Sequence, residues 1–317
     1  MPRIDPNQFR PERTLTGPQV AELAGVDHDL ATRAFRALGF PYYPDDAVEF
    51  EESDVEALKT LKTLMDLGFS EEEIITLGRT FGHALSRVAG AEVRAFRENF
   101  VVPLESQGAS PKEVLEQVSE AIPFLLELQQ PLVDYTLRRH LAIAIESEVI
   151  AGRSSRTEVV AAGFVDMVGF SSMSTELDVE ELGDLISTFE TLCLETCADL
   201  GVQVVKIIGD AVMIVAPDPK AVLAASRSII CQLREEPDLP TARAGLDHGE
   251  ALPLGGDYFG HPVNVAARLQ EFARPDTIVV SESFVEAVGD GIEVSRIGTR
   301  RFHGVGPVRA FKVKLDD

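Results

Sequence analysis

The sequence has few cysteines, and their arrangement excludes two kinds of stabilising site. Three cysteines in 317 residues are an odd number, so they do not form the disulfide framework of small secreted proteins. Cys193 and Cys197 share one face of a predicted helix, with no histidine or further cysteine nearby in the sequence. We therefore expect both to be small buried apolar residues rather than metal ligands.

The sequence also has no long apolar segment. No run approaches the roughly 20 apolar residues that are needed to cross a bilayer. The first dozen residues are polar and contain proline, unlike a signal peptide. These features predict a cytoplasmic protein without a transmembrane segment.

Basic residues are scarce, with 29 Lys and Arg against 52 Asp and Glu, giving a net charge of −23. The excess is spread evenly, because 14 basic and 26 acidic residues precede Ala151, and 15 and 26 follow. Such a surface repels nucleic acid and anionic lipid headgroups, so we expect no nucleic-acid partner. A phosphorylated small molecule would need local cations, metal ions and backbone N–H groups in order to bind.

The pattern of residues 14–150 predicts an all-α structure. Residues 14–150 have helical periodicity and few strand signals, and Thr16, Ser53 and Ser70 are each followed three residues later by Gln or Glu, as in a capping box. Separate helices are predicted over 112–128 and from Pro131 towards Ile150. These patterns predict an all-helical domain over residues 1–150.

The pattern changes after the polar linker Ala151–Thr157. Strands and helices then alternate, and Gly209–Asp210 indicates a hairpin. This alternation argues for an α+β domain over residues 151–317. The predicted strands cover 158–166, 202–208, 211–216, 242–247, 250–253, 277–280, 293–297 and 308–313, and the predicted helices cover 179–200, 219–234 and 262–272.

Two aspartates in this second part stand where a metal site could form. Asp166 ends an apolar strand, and Asp210 sits at the turn of the next hairpin. Two carboxylates at strand ends can share divalent cations, and Gly169 would let backbone N–H groups approach phosphate oxygens. Taken singly, each aspartate is also an ordinary turn residue.

Four segments that occur in a fixed order change this interpretation. Together they closely resemble the catalytic domain of class III adenylate cyclases over about Glu158–Val313. The resemblance implies a ferredoxin-like catalytic domain that converts ATP to cyclic AMP and pyrophosphate. The segments are Phe164–Ser171, Val205–Asp210, Ala242–Gly249 and Gly256–Leu269.

The resemblance also implies roles for metal-binding and base-selecting residues. Asp166 and Asp210 match the aspartates that bind two divalent cations, Mg²⁺ or Mn²⁺. Lys206 and Asp257 match the pair that selects adenine, in which Lys donates to a ring nitrogen and Asp accepts from the exocyclic amine. Guanine presents the reverse pattern and would leave both groups unpaired.

Further matches concern the sugar and the phosphates of ATP. Asn264 matches the residue that orients the ribose, and Arg268 matches the arginine that stabilises charge on the α-phosphate. Arg243 matches an arginine that reaches the outer phosphates, and Gly169 and Phe170 belong to the substrate-binding set. In such cyclases the metal aspartates and the Lys/Asp/Asn/Arg set come from two catalytic domains, so a homodimer with composite sites is implied.

One position departs from the family pattern. Many relatives carry a phosphate-contacting lysine near the C-terminal hairpin, and His303 stands there in this sequence. A neighbouring arginine could replace the lysine, or His303 could make phosphate binding depend on pH. An exposed loop histidine without a role is the alternative.

The whole layout is similar to mycobacterial-type soluble cyclases, in which an N-terminal helical domain inhibits catalysis and responds to pH or lipid. The resemblance therefore implies a proton or a fatty acid as effector, with a register change of the helix 131–150 as a physical route. The apolar side chains of the N-terminal helices are expected to form the core, and a fatty-acid pocket among them is the alternative. The candidate residues are His28, His83 and His140 for protons, and Phe81, Phe96, Phe100, Phe124, Leu125 and Leu126 for lipid.

Three other functions remain open at this point. A guanylate cyclase would share the fold and the metal site, and a degenerate signalling module would dimerise without catalysis. The third is a DNA-binding regulator, because residues 14–80 superficially resemble a helix-turn-helix protein. The acidic stretch Asp45–Asp54 argues against DNA binding, which requires basic contacts.

Overall fold

The computed structural model describes residues 12–146, 157–236 and 239–314. The chain divides into two compact units, Met1–Ser154 and Ser155–Asp317. The predicted boundary after Ile150 and the predicted linker, except for its last residue, lie outside the described residues. None of the helices in the described ranges combines the length and the apolarity of a membrane span.

The described part of the N-terminal unit is helical, with one small sheet that sequence analysis missed. Its first three helices enclose a core that includes Val20, Phe35 and Leu58. A π-helical turn joins the fourth helix to the fifth. The elements are β1 (Leu15–Thr16), α1 (Gly17–Ala24), α2 (His28–Ala37), β2 (Val48–Phe50), α3 (Glu52–Asp66), α4 (Glu71–Phe96), α5 (Val102–Ser106) and α6 (Pro111–Ile145), with β1 antiparallel to β2.

The capping boxes predicted at Thr16 and Ser70 are present. The one predicted at Ser53 is wrong, because α3 begins two residues earlier. There the Glu51 backbone N–H donates to the Asp54 carboxylate at 2.8 Å. An acidic pair with the same spacing therefore satisfies the free N–H groups of the first turn.

The two helices predicted over 112–128 and 131–150 form one helix within the described range. Helix α6 runs from Pro111 to Ile145 and contains Pro123 and Pro131. Each proline removes one backbone donor, and because no side chain of α6 is buried, the carbonyls left without a partner can bind water. The predicted end of the second helix, residues 147–150, lies outside the described residues.

The C-terminal unit is an eight-stranded sheet with helices on both faces. The strand order is β4-β5-β3-β6-β8-β10-β9, and β7 pairs with β6. The elements are β3 (Glu158–Met167), α7 (Phe170–Met173), α8 (Val179–Asp199), β4 (Gln203–Ile208), β5 (Ala211–Ala216), α9 (Pro219–Glu235), β6 (Ala242–Leu254), β7 (Asp257–Phe259), α10 (His261–Phe272), β8 (Thr277–Ser281), α11 (Glu282–Val288), β9 (Val294–Phe302) and β10 (Gly306–Val313).

The predicted ferredoxin-like topology is confirmed. Strands β3, β4, β5 and β6 are linked by helices α8 and α9 in a βαββαβ unit, and β3 lies between β5 and β6, antiparallel to both. The strands predicted over 242–247 and 250–253 are one strand, β6, because pairing with β3 continues through Gly249. Sequence analysis missed the short elements β7, α7 and α11.

Alternation along the strands decides which side chains meet which helix. On β3, Val165 and Met167 join the core beneath α8 and α9, whereas Val160 and Ala162 pack with Ala266 of α10. Successive side chains point to opposite faces of a sheet, so Asp166 is on the α10 face. On β6 the same alternation brings Arg243 and Gly245 to that face.

Cys193 and Cys197 are buried in the core beside α8, as predicted. Burial raises the pKa of both thiols, to about 11 for Cys197. Both thiols therefore stay protonated at neutral pH and act as small apolar side chains.

Helix α10 approaches the sheet most closely at Gly245. A Cβ atom added there would lie 2.7 Å from Gln270 Cα and still closer to the Gln270 nitrogen and the Ala266 carbonyl oxygen. Backbone atoms cannot move away as a side chain can, so only glycine fits between β6 and α10.

We expect Gly245→Ala to lower the stability of the C-terminal unit by about 1–3 kcal/mol, because the added methyl group overpacks a rigid contact. Thermal denaturation measures the change. The matched control is Gly183→Ala in α8, where an added Cβ meets nothing within 4 Å. The control should be neutral or slightly stabilising. A Gly245→Ala protein as stable as the control would contradict this account of the packing.

Candidate active site

Asp166 and Asp210 lie on adjacent strands at one end of the sheet. Asp166 is the penultimate residue of β3 and pairs with Ala211 of β5, while Asp210 immediately precedes β5 in the turn from β4. The Met167 backbone N–H donates to the Asp210 carbonyl oxygen at 2.9 Å. The hairpin and the end of β3 are thus joined where the two carboxylates emerge.

Two residues donate to one oxygen of Asp166. Arg243, which pairs with it on β6, donates from Nε to Oδ2 at 2.9 Å, and its Nη2 forms an ion pair with the same oxygen at 2.9 Å. Gln270 of α10 donates from Nε2 to the same oxygen at 2.8 Å. Among the described residues no side-chain donor reaches Oδ1, so this oxygen is available to a ligand.

The environment of Asp166 combines burial with opposing charges. Burial raises the pKa of its carboxyl, hydrogen bonding from Arg243 opposes the increase, and the negative charge of Asp210 adds to it. The repulsion shows that the two carboxylates are electrostatically coupled. A cation between them would relieve this repulsion.

Lys206 and Asp257 form a second cluster. Lys206 Nζ contacts Asp257 Oδ2, and both side chains are about 30% exposed, at 32% and 27%. The other carboxylate oxygen, Oδ1, accepts from the Tyr258 backbone N–H at 2.8 Å. A donor and an acceptor thus stand side by side between β4 and β7, as recognition of a base edge requires.

Helix α10 carries the third group of predicted residues. Asn264 and Arg268 are one turn apart, and Asn264 is exposed. Arg268 Nη1 donates to both carboxylate oxygens of Glu271 at 2.6 and 2.7 Å. The backbone carbonyl of Glu271 in turn accepts from Arg243 Nη1 at 3.3 Å, which links this group to the aspartate cluster.

Gly169 and Phe170 start the short helix α7 next to Asp166. Gly169 has φ 84°, a left-handed conformation that favours glycine, and it allows the chain to turn directly after β3. Phe170 is partly buried against the core. The aromatic side chain therefore anchors the turn that follows Asp166.

His303 lies in the exposed turn between β9 and β10. The neighbouring Arg300 places its guanidinium 5.3 Å from the ring centre of Phe272, at the end of α10. Phe272 also contacts Phe302, with ring centres 6.1 Å apart. The hairpin that carries His303, Arg300 and Arg301 is thus packed against α10, the helix that carries Arg268.

Sequence analysis missed Gln270 and Glu271. They directly follow the last predicted motif, yet Gln270 contacts Asp166, and Glu271 contacts both Arg268 and Arg243. Their position next to Arg268 was the available signal. Motif spacing could not reveal their contacts, because Asp166 is 104 residues from Gln270 and Arg243 is 28 residues from Glu271.

Comparison with known proteins identifies the family. Residues 11–141 match the family model described as the adenylate cyclase regulatory domain. A pH-sensitive adenylate cyclase of Mycobacterium tuberculosis is 31% identical over 310 residues, which cover 93% of this chain and 77% of that one. An adenylate cyclase of Streptomyces coelicolor is 34% identical over 278 residues, covering 87% and 72%.

The chain belongs to the class III adenylate cyclase family. This agrees with the motifs of the C-terminal unit and adds a regulatory domain before it. A more distant match is bovine retinal guanylyl cyclase 2, 26% identical over 235 residues, which cover 66% of this chain and 21% of that one. Among solved structures, the adenylyl cyclase CyaB of P. aeruginosa has 22% identity and a TM-score of 0.45, covering 51% of this chain and 96% of that one.

The geometry of this cyclase predicts energetic coupling between Lys206 and Asp257 before any nucleotide binds. Removing either partner leaves a partly buried charge without its counterion, so the two changes should not be additive. We expect a coupling free energy of about 1 kcal/mol between Lys206→Met and Asp257→Asn in chemical denaturation. The more exposed pair Arg309–Glu282 is the control and should couple more weakly. Additive effects at Lys206 and Asp257 would show that their contact contributes nothing.

Proposed function

We propose that this protein is an adenylate cyclase that converts ATP to 3′,5′-cyclic AMP and pyrophosphate at composite sites of a homodimer. The observation that carries the proposal is the cluster of Asp166, Asp210 and Arg243 at one sheet edge. Carboxylates beside arginines are the groups needed to hold a metal–triphosphate complex. Membership of the adenylate cyclase family supports the same reaction.

The donor set at the sheet edge fits two divalent cations such as Mg²⁺ or Mn²⁺. The described residues contain no group of three metal-binding side chains, so Asp166 and Asp210 would act together with substrate phosphates. Mg²⁺ is commonly held in this way, by one or two carboxylates plus phosphate oxygens. When bound, such ions neutralise phosphate charge and lower the pKa of an attacking hydroxyl.

Base selection is assigned to Lys206 and Asp257. Lys206 would donate to a ring nitrogen of adenine, and Asp257 would accept from the exocyclic amine. The contact of Lys206 Nζ with Asp257 Oδ2 holds both groups in place before the base arrives. Guanine would place donor against donor and acceptor against acceptor, which is a strong basis for rejection.

The remaining residues position the sugar and the phosphates. Asn264 would hold the ribose so that its 3′-oxygen attacks the α-phosphorus in line with the departing pyrophosphate. Arg268 would donate to the α-phosphate oxygens as negative charge develops on them. Arg243 would bind the outer phosphates. The new bond joins the 3′-oxygen to phosphorus, and the bond to the β-phosphate oxygen breaks.

A homodimer follows from the distribution of these residues. One chain carries both the metal aspartates and the set Lys206, Asp257, Asn264 and Arg268. In the resembling cyclases these sets come from different catalytic domains, so two copies related by a twofold axis would complete two equivalent sites.

The N-terminal unit is proposed to regulate the reaction in response to protons or a lipid. An open groove of about 500 Å³ between α4, α5 and α6 is lined by Phe96, Phe100 and Phe124, three of the side chains predicted to contact a fatty acid. Of the candidate histidines, His28 lies 3.6 Å from the Asp45 carboxylate. Both proposed effectors, a proton and a lipid, would bind within the N-terminal unit.

The experiment that tests the function measures cyclic nucleotides made by the full chain with Mn²⁺ and ATP or GTP, at mildly acidic and mildly alkaline pH. Cyclic AMP from ATP, abolished in Asp166→Ala, supports the proposal. Cyclic GMP as the main product would establish the guanylate cyclase alternative. Absence of product under every condition would favour a degenerate signalling module.

Base preference gives a sharper prediction. The double variant Lys206→Glu/Asp257→Asn reverses the donor and acceptor, so we expect the ratio of kcat/KM for ATP over GTP to fall at least about tenfold. The matched control is the double variant Lys220→Glu/Asp218→Asn at the start of α9, which should keep the ratio. An unchanged ratio in the site variant would show that other residues select the base.

A further inference from the structure

Gln270 is a buried polar side chain in a position that the proposed reaction does not use. It is 8% exposed, and its amide nitrogen donates to Asp166 Oδ2 at 2.8 Å. Burying an amide is unfavourable unless it is hydrogen-bonded, so a buried glutamine usually has a specific partner. Here that partner is a predicted metal ligand.

The backbone of Gln270 is held in place by the closest contact between α10 and the sheet. Its nitrogen and Cα lie against Gly245 of β6, two residues from Arg243. The preceding residue, Leu269, is fully buried in a separate apolar cluster, which holds this part of α10 in place. The amide therefore approaches Asp166 from a rigid support rather than from a loop.

We propose that Gln270 is a positioning residue that orients Asp166 for binding divalent cations. The proposal rests on the assignment of Asp166 as a metal ligand. Among the described residues, the side chains that donate to Asp166 all donate to its Oδ2. The other carboxylate oxygen, Oδ1, is therefore available to a cation. Hydrogen bonds of this kind to a ligating carboxylate commonly affect metal affinity 10–100-fold, about the effect expected here.

Gln270 and Arg243 differ in whether they would keep their hydrogen bonds to Asp166 when substrate binds. Arg243 is a cation, and the outer phosphates of ATP would compete with Asp166 for its guanidinium. Gln270 is neutral and attracts phosphate far less, so it keeps its hydrogen bond when Arg243 turns away. A neutral donor also orients the carboxylate without placing positive charge next to the incoming cations.

The position of Gln270 also distinguishes the two sites of the proposed dimer. Arg268 precedes Gln270 by two residues on α10, yet Gln270 contacts Asp166 of its own chain. In a dimer with composite sites, Arg268 serves one site while Gln270 supports the metal aspartate of the other. A change at Gln270 should therefore affect only the site that contains its own chain's Asp166.

The first test measures Mn²⁺ binding without turnover. Electron paramagnetic resonance reports free Mn²⁺ in the presence of 3′-deoxy-ATP, which lacks the attacking hydroxyl. Gln270→Met keeps the side-chain length and removes the donor, so we expect Mn²⁺ to bind about 10–100-fold more weakly. Gln232→Met, which removes an amide that donates to Thr196 and Ser228 on the opposite face of the sheet, should bind Mn²⁺ as the wild type does.

Two outcomes of this measurement are decisive. Wild-type Mn²⁺ affinity in a folded Gln270→Met protein overturns the proposal. If Gln270→Met does not fold, Gln270→Asn replaces it, because this variant keeps an amide but withdraws it by one carbon from Asp166. The same 10–100-fold loss is expected for that variant.

The second test uses mixed dimers of differently tagged chains. One chain carries Asp166→Ala and the other Arg268→Ala, so only one site of the mixed dimer retains both residues. Gln270→Met added to the chain with intact Asp166 should raise the Mn²⁺ concentration for half-maximal activity about 10–100-fold. The same change added to the Asp166→Ala chain should leave it unaltered.

The mixed dimers separate failure of the inference from failure of the proposed function. Equal effects of Gln270→Met in both chains would show a general disturbance of α10 and would overturn the positioning role. If the mixed dimer is inactive before Gln270 is changed, the composite-site proposal fails. In that case Mn²⁺ binding to the wild-type and Gln270→Met proteins still decides the role of Gln270.

Discussion

The packing of α10 against β6 at Gly245 is the contact on which the candidate active site depends. It brings a helix backbone so close to a strand that no side chain fits between them. This approach sets both the depth and the rotation of α10. Asn264 and Arg268 on one side of the helix, and Gln270 on the side facing Asp166, owe their positions to it. The site is therefore built on regular elements, and its geometry is as rigid as the sheet itself.

The proposed reaction requires a chain with a net charge of −23 to bind a highly negative nucleotide, and the local pairing of charges offers a physical route. Three cations, Lys206, Arg243 and Arg268, face carboxylates of the same chain. In each pair the carboxylate holds the cation in place, and the pair as a whole carries little net charge while no nucleotide is bound. Under the proposed function, nucleotide binding would exchange one anionic partner for another, which requires less reorganisation than gathering free cations from solvent.

The sequence predicted most elements of the C-terminal unit, because alternation and caps there are local signals. It divided β6 in two at His248–Gly249, since a short polar segment resembles a turn when its partner strand is unknown. Pairing with β3 across more than 80 residues overrides that signal. In α6 the same kind of error arose from Pro131, because the rule that proline ends a helix does not apply where solvent can satisfy the freed carbonyl.

The candidate site divides in the same way between local and non-local information. Motif order was sufficient to name Asp166, Lys206, Asp210 and Asp257 as candidates. Placing Asp166 and Arg243 on one face also requires the register between β3 and β6, which the sequence does not supply. Gln270 could not be found from these signals, because its side chain reaches Asp166 only when α10 lies at the depth that Gly245 permits. The glycine is thus informative about a residue 25 positions away. A glycine within a strand, away from any turn, indicates that another backbone approaches closely there. Polar side chains on a helix that packs against such a glycine can therefore make contacts that motif order does not predict.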